Sequence, residues 1–147
     1  MSAALTLATA QNADSVLSLM ARYHAEAELP FDDEHRAVSA VPLLEESPLG
    51  AIWLIGPPRA PLGYVMFTFG WSIAAGGMTA HLEEAFIRPS VRNRQIGTEA
   101  VNAVMVQLSQ AGIRAFAAAP LREASRAVRF CERLRLNIDD SRCHLTS

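Results

Sequence analysis

The most informative stretch of the chain is Leu82-Glu83-Glu84-Ala85-Phe86-Ile87-Arg88-Pro89-Ser90-Val91-Arg92-Asn93-Arg94-Gln95-Ile96-Gly97-Thr98. Its first six residues have the composition of a strand, and Pro89 ends that strand. From Gly97 onward, apolar residues recur at helical spacing. The pattern therefore predicts a strand, a short polar loop and a long amphipathic helix.

A helix that starts directly from such a loop presents unpaired backbone N–H groups and the positive end of its dipole. Both features favour an anion in front of the first helical turn. The sequence thus predicts a phosphate-binding loop between the strand and the helix.

This loop resembles the acetyl-CoA-binding motif of the GNAT superfamily of N-acetyltransferases. The family pattern is arginine or glutamine, two free positions, glycine, one free position, then glycine or alanine. Arg92, Gln95 and Gly97 occupy those three places. Gln95 departs from the usual glycine, whose missing side chain lets the backbone approach the phosphates. The resemblance implies acetyl-CoA as cosubstrate and transfer of an acetyl group to an amine.

Length and composition limit the number of domains and the kinds of protein that the chain can form. A chain of 147 residues is long enough for one hydrophobic core and too short for two ordinary domains. It shows no membrane-length apolar run and no secretory signal pattern. We therefore expect a single domain over residues 1–147, located in the cytoplasm and without membrane contact. Cys131 and Cys143 lack metal-type spacing, so no disulfide and no metal is expected.

Charge is distributed unevenly along the chain. Residues 1–84 carry a net charge of −7 and residues 85–147 a net charge of +5, for a total of −2. A basic half suits a phosphorylated cofactor and an acidic half suits a cationic substrate, although solvated surface charge explains any single residue equally well. The negative total and the lack of an aromatic–basic pattern argue against nucleic acid binding.

The order of predicted elements indicates an α+β fold. The patterns predict a strand at 5–8, a helix from about residue 14, a second helix interrupted at Pro42, and strands at 51–55, 63–71 and 79–87. The long helix, a strand at 113–119, a helix at 124–134 and a tail strand near 143–146 follow. This order predicts a mixed, largely antiparallel sheet flanked by helices. It is also the GNAT order, and segments such as Tyr23-His24-Ala25-Glu26 resemble a bacterial branch that includes polyamine acetyltransferases.

Acetyl transfer to an amine needs a base, because a cationic amine cannot attack a thioester. By resemblance, Glu83 occupies the place of the catalytic or amine-binding glutamate of related enzymes. Glu83 and Glu84 are adjacent, so they point to opposite faces of a strand unless a bulge intervenes, and such a bulge is typical of this strand in the family. We predict Glu83 as the catalytic residue and Glu84 as a substrate-binding residue.

The resemblance also implies the residues of the cofactor site. The backbone of the strand end would pair with the pantetheine arm, and the loop and first helical turn would bind the diphosphate, with the Thr98 hydroxyl as an extra donor. The predicted cofactor-binding residues are Ala85, Phe86, Ile87, Arg92, Asn93, Arg94, Gln95, Ile96, Gly97 and Thr98.

A second family signature is weak in this chain. The family has asparagine, then a Phe-Tyr pair and a glycine, with the tyrosine protonating the departing thiolate. Here Ala124 replaces asparagine, Phe130-Cys131 replaces the aromatic pair and Arg135 replaces glycine. Cys131 is predicted as the alternative acid, because a thiol with reference pKa of about 8.5 can donate near neutrality. A small buried core residue is the competing interpretation.

The acceptor pocket of the family is lined by its first two helices. We therefore predict Tyr23, His24 and Glu26 as substrate-binding residues for a small amine. The losses at Ala124, Cys131 and Gln95 leave a second hypothesis open, a weak or inactive module that binds acyl-CoA. An apolar chain with exposed sheet edges also makes a homodimer a reasonable expectation.

Overall fold

The computed structural model describes residues 4–92, 95–118 and the short strand at 137–138. Its strands are β1 (Leu5–Leu7), β2 (Gly50–Ile55), β3 (Gly63–Ser72), β4 (Gly77–Ile87), β5 (Ala115–Ala118) and β6 (Asn137–Ile138). Its helices are α1 (Ala13–Glu26), α2 (Asp33–Ala40) and α3 (Ile96–Gln110). Short 3₁₀ turns lie at Ala10–Asn12, Val41–Leu44 and Pro89–Val91.

The strands form one sheet in the order β1-β2-β3-β4-β5-β6. β1 to β4 pair antiparallel, whereas β5 runs parallel to β4 and β6 runs parallel to β5. This confirms the predicted α+β class with a mixed, largely antiparallel sheet. The predicted helix at 124–134 and tail strand near 143–146 lie outside the described residues.

Each face of the sheet carries its own core. One core packs α3 on the sheet through Val101 and Val104, which meet Val65 and Phe67 of β3. The other packs α1 and the end of α2 on the opposite face, where Leu19 meets Ile52 and Tyr64. Alternate residues of β2 and β3 therefore serve opposite cores, as the two-residue period of a strand requires.

A β-bulge in β4 breaks this alternation. Met66 lies opposite Glu84 and Phe67 lies opposite Leu82, so Glu83 is an extra residue in β4. Before the bulge, Ala80 and Leu82 face α3; after it, Ala85 and Ile87 face α3. One inserted residue thus shifts the phase of the strand and brings Glu84 and Phe86 to the face covered by α1 and α2.

Candidate active site

Both carboxylates of β4 lie on the same side of the sheet. Glu83 and Glu84 line one cleft between the sheet and the helices α1 and α2. Regular strand geometry would have separated them, and the bulge at Glu83 brings them together. The bulge that adjacent glutamates need in order to face the same site is therefore present in β4.

Glu84 is the buried member of this pair. Its Oε1 accepts a hydrogen bond of 2.7 Å from the Tyr64 hydroxyl, and its Oε2 lies 2.7 Å from His24 Nε2. The glutamate is only 8% exposed, and a buried carboxylate is tolerated in a fold when such partners satisfy it. His24, on α1, and Tyr64, on β3, thus fix the position of Glu84 from two different elements.

The Tyr64 phenol acts as a donor in this network. Burial raises its pKa well above the usual value, and the nearby charge and hydrogen bond of Glu84 raise it further. The phenol therefore stays protonated across the physiological range. The Tyr64 hydroxyl therefore donates its hydrogen bond to Glu84, and Tyr64, Glu84 and His24 form a buried cluster.

His24 contributes one ring nitrogen to the network. Nε2 contacts Glu84, while Nδ1 is buried and has no hydrogen-bond partner among the described residues. The ring packs against Tyr23, with centroids 5.6 Å apart, and edge-on against Phe31 at 5.1 Å. Aromatic packing and a single charged partner hold the imidazole in place.

Glu83 occupies a more open position. It is half-buried, and the Thr68 hydroxyl donates a hydrogen bond of 2.9 Å to its Oε1. It also lines the cleft and is more exposed than Glu84. Glu83 is placed where a cationic group in the cleft can reach it.

The cleft has a volume of about 290 Å³. The sheet contributes Met66, Thr68, Glu83 and Glu84, and the helical side contributes Met20, His24, Phe31, His35, Ser39 and Leu43. Charge is therefore concentrated on the sheet wall, whereas most of the helical wall is apolar or aromatic.

The segment between α1 and α2 positions the two aromatic residues of the helical wall, Phe31 and His35. α1 ends in a Schellman turn, with Leu29 N–H bonding the His24 carbonyl and Glu28 in a left-handed conformation at φ 56°. α2 then begins with the Asp32 side chain capping His35 N–H at 2.8 Å. These two caps bring Phe31 and His35 into a stack with ring centroids 4.4 Å apart.

Arg92, the first residue of the cofactor motif, is bound to α1. Its Nη1 and Nη2 reach the two carboxylate oxygens of Glu26, and its Nε donates to the Ile87 carbonyl at 2.8 Å. The guanidinium carbon also lies 5.4 Å from the centre of the Phe86 ring. The structure thus joins a predicted cofactor residue to a predicted substrate residue.

Gln95 introduces α3 in a strained conformation. It has φ 57° and ψ 16°, and its side chain makes no capping hydrogen bond to the helix. A glycine adopts this conformation at lower cost, which explains why the family usually has glycine there. The first-turn amides of Ile96, Gly97 and Thr98 follow, and such amides can bind an anion.

The described part of the sheet pairs β4 with β5 along only half of β4. The pairs run from Thr79 and Ala115 to Leu82 and Ala118, the last described residue of β5. β4 itself continues to Ile87. Among the described residues, the last part of β4 therefore has no partner on the β5 side, and a strand edge of this kind can pair with an extended ligand.

The three predicted substrate residues of α1 have different surroundings. His24 lines the cleft and contacts Glu84, Tyr23 packs against Phe86 outside the cleft lining, and Glu26 is exposed and pairs with Arg92. Asn93, Arg94 and Cys131 lie outside the described residues. Within the parts of the chain that are described, no group of three His, Cys, Asp or Glu could hold a metal ion, and no helix could cross a membrane.

Sequence reasoning did not single out Tyr64, which donates to Glu84, or the cleft-lining residues Phe31, His35 and Thr68 as site residues. Tyr64 is the informative case, because it appeared only as one aromatic in a β-rich strand. The available signal was a tyrosine on one strand and two adjacent glutamates on the next strand, which a bulge could bring to the same face as the tyrosine. The strand register needed to use that signal was not evident from periodicity alone.

The mixed sheet, with α1 and α2 on one face and α3 on the other, is the arrangement of an acetyltransferase fold. The chain belongs to the acetyltransferase (GNAT) family, whose pattern matches residues 14–135. This membership places it among the acetyl-CoA-dependent acyltransferases. No curated protein matches the chain significantly.

Solved structures share the fold. An integron cassette protein from the mobile metagenome of Cole Harbour Salt Marsh is 24% identical, with a TM-score of 0.77 over 92% of this chain and 84% of that one. A possible acetyltransferase from Clostridium difficile 630 is 15% identical, with a TM-score of 0.81 over 95% and 93%. A predicted acetyltransferase from Clostridium acetobutylicum, solved with acetyl-CoA, is 11% identical, with a TM-score of 0.77 over 93% and 91%.

Proposed function

We propose that the protein is an N-acetyltransferase that moves an acetyl group from acetyl-CoA to a primary amine of a small molecule. The observation that carries this proposal is the bulge at Glu83, which turns two adjacent carboxylates into one cleft. The cleft lies beside the strand edge and helix end that suit the cofactor. A cationic acceptor and an acetyl donor could therefore meet at β4.

The residues present fit acetyl-CoA, which supplies the acetyl thioester when bound. We assign the backbone of Ala85, Phe86 and Ile87 to the pantetheine arm, since these residues of β4 have no β5 partner among the described residues. We assign the amides of Ile96, Gly97 and Thr98 to the diphosphate, because the Gln95 side chain does not cap them. Arg92 would add positive charge at the same end of α3.

Glu83 acts as the base in this proposal. A carboxylate at the cleft wall binds the ammonium form of the acceptor and takes up its proton, directly or through water. Glu84 is a positioning residue: His24 and Tyr64 hold its charge in place behind the reacting group. The neutral amine can then attack the acetyl carbonyl.

The first test is cofactor binding. Acetyl-CoA should raise the melting temperature, because a ligand that binds only the folded state stabilises it by mass action. Gly97→Val should abolish the shift, since a branched side chain obstructs the loop backbone, while the variant without ligand keeps its fold. No shift in the wild type far above micromolar acetyl-CoA contradicts the cofactor assignment.

The second test is turnover, measured as release of free thiol with a panel of amines. Amine-dependent release supports the enzyme. Binding of acetyl-CoA without release under any condition supports instead the acyl-CoA-binding module suggested by the changes at Ala124, Cys131 and Gln95.

A further inference from the structure

The cleft also carries information on the acceptor, and this inference rests on the proposed function. Oε1 of Glu84 accepts a hydrogen bond from the Tyr64 hydroxyl, and Oε2 lies 2.7 Å from His24 Nε2. Glu84 is buried, whereas Glu83 is only half-buried. Of the two carboxylates, Glu83 is therefore the more accessible to an incoming ammonium group.

A second ammonium group has no matching anion further along the cleft. Apart from the adjacent pair on β4, none of the described lining residues is a carboxylate. The opposite wall presents Met20, Phe31 and Leu43, with Met66 on the floor. Placing a second cation against these side chains would remove it from water without compensation, which is costly.

The size of the cleft suits a compact acceptor. Its volume of about 290 Å³ is at the lower end of the roughly 300–1,000 Å³ usual for small-molecule pockets. The stacked rings of Phe31 and His35 offer a flat aromatic surface for such an acceptor.

We propose that the acceptor is a compact primary monoamine with an apolar, preferably aromatic, body. Its single ammonium group contacts Glu83, and its body lies against Met20, Phe31, Leu43 and Met66. The ammonium group gives one proton to Glu83, and the neutral amine then forms the new C–N bond at the acetyl carbonyl. Breaking the C–S bond releases the coenzyme A thiolate, which takes up the second proton lost by the nitrogen and leaves as the free thiol. Polycationic amines are poor acceptors in this assignment.

The test compares acceptors that differ by one charge. With saturating acetyl-CoA, kcat/KM is measured for n-pentylamine, 1,5-diaminopentane and 2-phenylethylamine. We expect the two monoamines to exceed the diamine by about tenfold or more, because the second ammonium must lose its hydration against the apolar wall. Equal efficiency, or a preference for the diamine, overturns the proposal.

A pair of variants at the exposed rim of the cleft sharpens this test. Ser39 lies on α2, is exposed and lines the cleft. Ser39→Glu places a carboxylate on the apolar side, so it should raise the diamine-to-monoamine ratio by about threefold or more, whereas Ser39→Gln should not. An unchanged ratio in Ser39→Glu shows that the second ammonium does not enter this cleft and also overturns the proposal.

Failure of the acetyltransferase proposal and failure of the monoamine proposal give different results. If acetyl-CoA binds but no amine is acetylated, the proposed function fails. Titration calorimetry in the presence of coenzyme A then decides the acceptor class: tighter binding of n-pentylamine than of 1,5-diaminopentane supports a monoamine site, and the reverse order, or no binding of either amine, contradicts it.

Discussion

Glu26 and Arg92 are 66 positions apart in the chain and meet through two parallel hydrogen bonds, Nη1 to Oε1 and Nη2 to Oε2, both of 2.5 Å. The pair joins the end of α1, which lines the cleft, to the loop that precedes α3. A diphosphate at α3 and the carboxylate of Glu26 would both attract the same guanidinium group. The pair therefore puts the regions proposed for the acceptor and for the cofactor in direct electrostatic contact.

We predict that Glu26→Gln tightens acetyl-CoA binding by about threefold, because it removes a negative charge that competes with phosphate for Arg92. Arg92→Gln should weaken binding by a similar or larger factor. Both dissociation constants are measured by titration calorimetry at low and moderate salt. Weaker binding in Glu26→Gln would show that the pair positions the loop instead of competing for it.

Glu83→Gln keeps the shape of the side chain but removes its charge. We expect turnover to fall by about 100-fold or more, the usual scale for a lost general base, with acetyl-CoA affinity nearly unchanged. The defect should ease as pH rises, since more of the acceptor amine is then already neutral. Full activity in Glu83→Gln places the base elsewhere, and a joint loss of stability and affinity points to a structural role.

Glu84→Gln tests the buried cluster directly. Tyr64 and Tyr23 are the only tyrosines, so in Tyr23→Phe the near-ultraviolet phenolate absorbance reports Tyr64 alone. Its midpoint should lie well above pH 10, and adding Glu84→Gln should lower it, because the Glu84 charge and hydrogen bond both raise the Tyr64 pKa. A midpoint unaffected by Glu84→Gln contradicts the cluster.

The same pKa predicts how stability depends on alkaline pH. In the unfolded chain a tyrosine ionises at about pH 10, whereas folded Tyr64 stays protonated to higher pH. The unfolded state therefore loses its proton first, and the free energy of unfolding should fall as pH rises above about 10. Urea unfolding should show that the free energy of unfolding falls less steeply with alkaline pH in Tyr64→Phe than in the wild type. The variant should nevertheless be less stable than the wild type at neutral pH.

Gln95→Gly should leave stability unchanged or raise it by up to about 1 kcal/mol, because a non-glycine residue at φ 57° is strained. Gln107→Gly is the matched control: the same change at an exposed position in the last turn of α3 should cost up to about 1 kcal/mol. Urea unfolding gives both values. A loss in Gln95→Gly equal to that in Gln107→Gly would show that the left-handed conformation carries no strain.

Local patterns predicted much of the fold. The helical spacing from Gly97, the stop at Pro89 and the break at Pro42 correspond to α3, to the end of β4 and to the 3₁₀ turn after α2. These features depend on neighbours in sequence, so periodicity and backbone sterics reveal them.

The site was harder to predict because its decisive contacts are long-range. His24 and Glu84 are 60 positions apart and Tyr64 is 20 from Glu84. Each pairing depends on strand register and on the bulge, and no local pattern specifies the register of β3 against β4. The pairing of Arg92 with Glu26, two residues predicted for different ligands, was hidden for the same reason.

The bulge at Glu83 has a practical consequence for anyone who re-engineers this chain. Alternate residues of β4 do not stay on one face of the sheet: Ala80 and Leu82, before the bulge, pack against α3, whereas Glu84 and Phe86, after it, lie on the side of α1 and α2. A combinatorial library that varied alternate positions along the whole strand would alter the interior and the acceptor cleft together. Libraries aimed at new acceptors should therefore be split at Glu83, with each half of the strand assigned its own alphabet of residues.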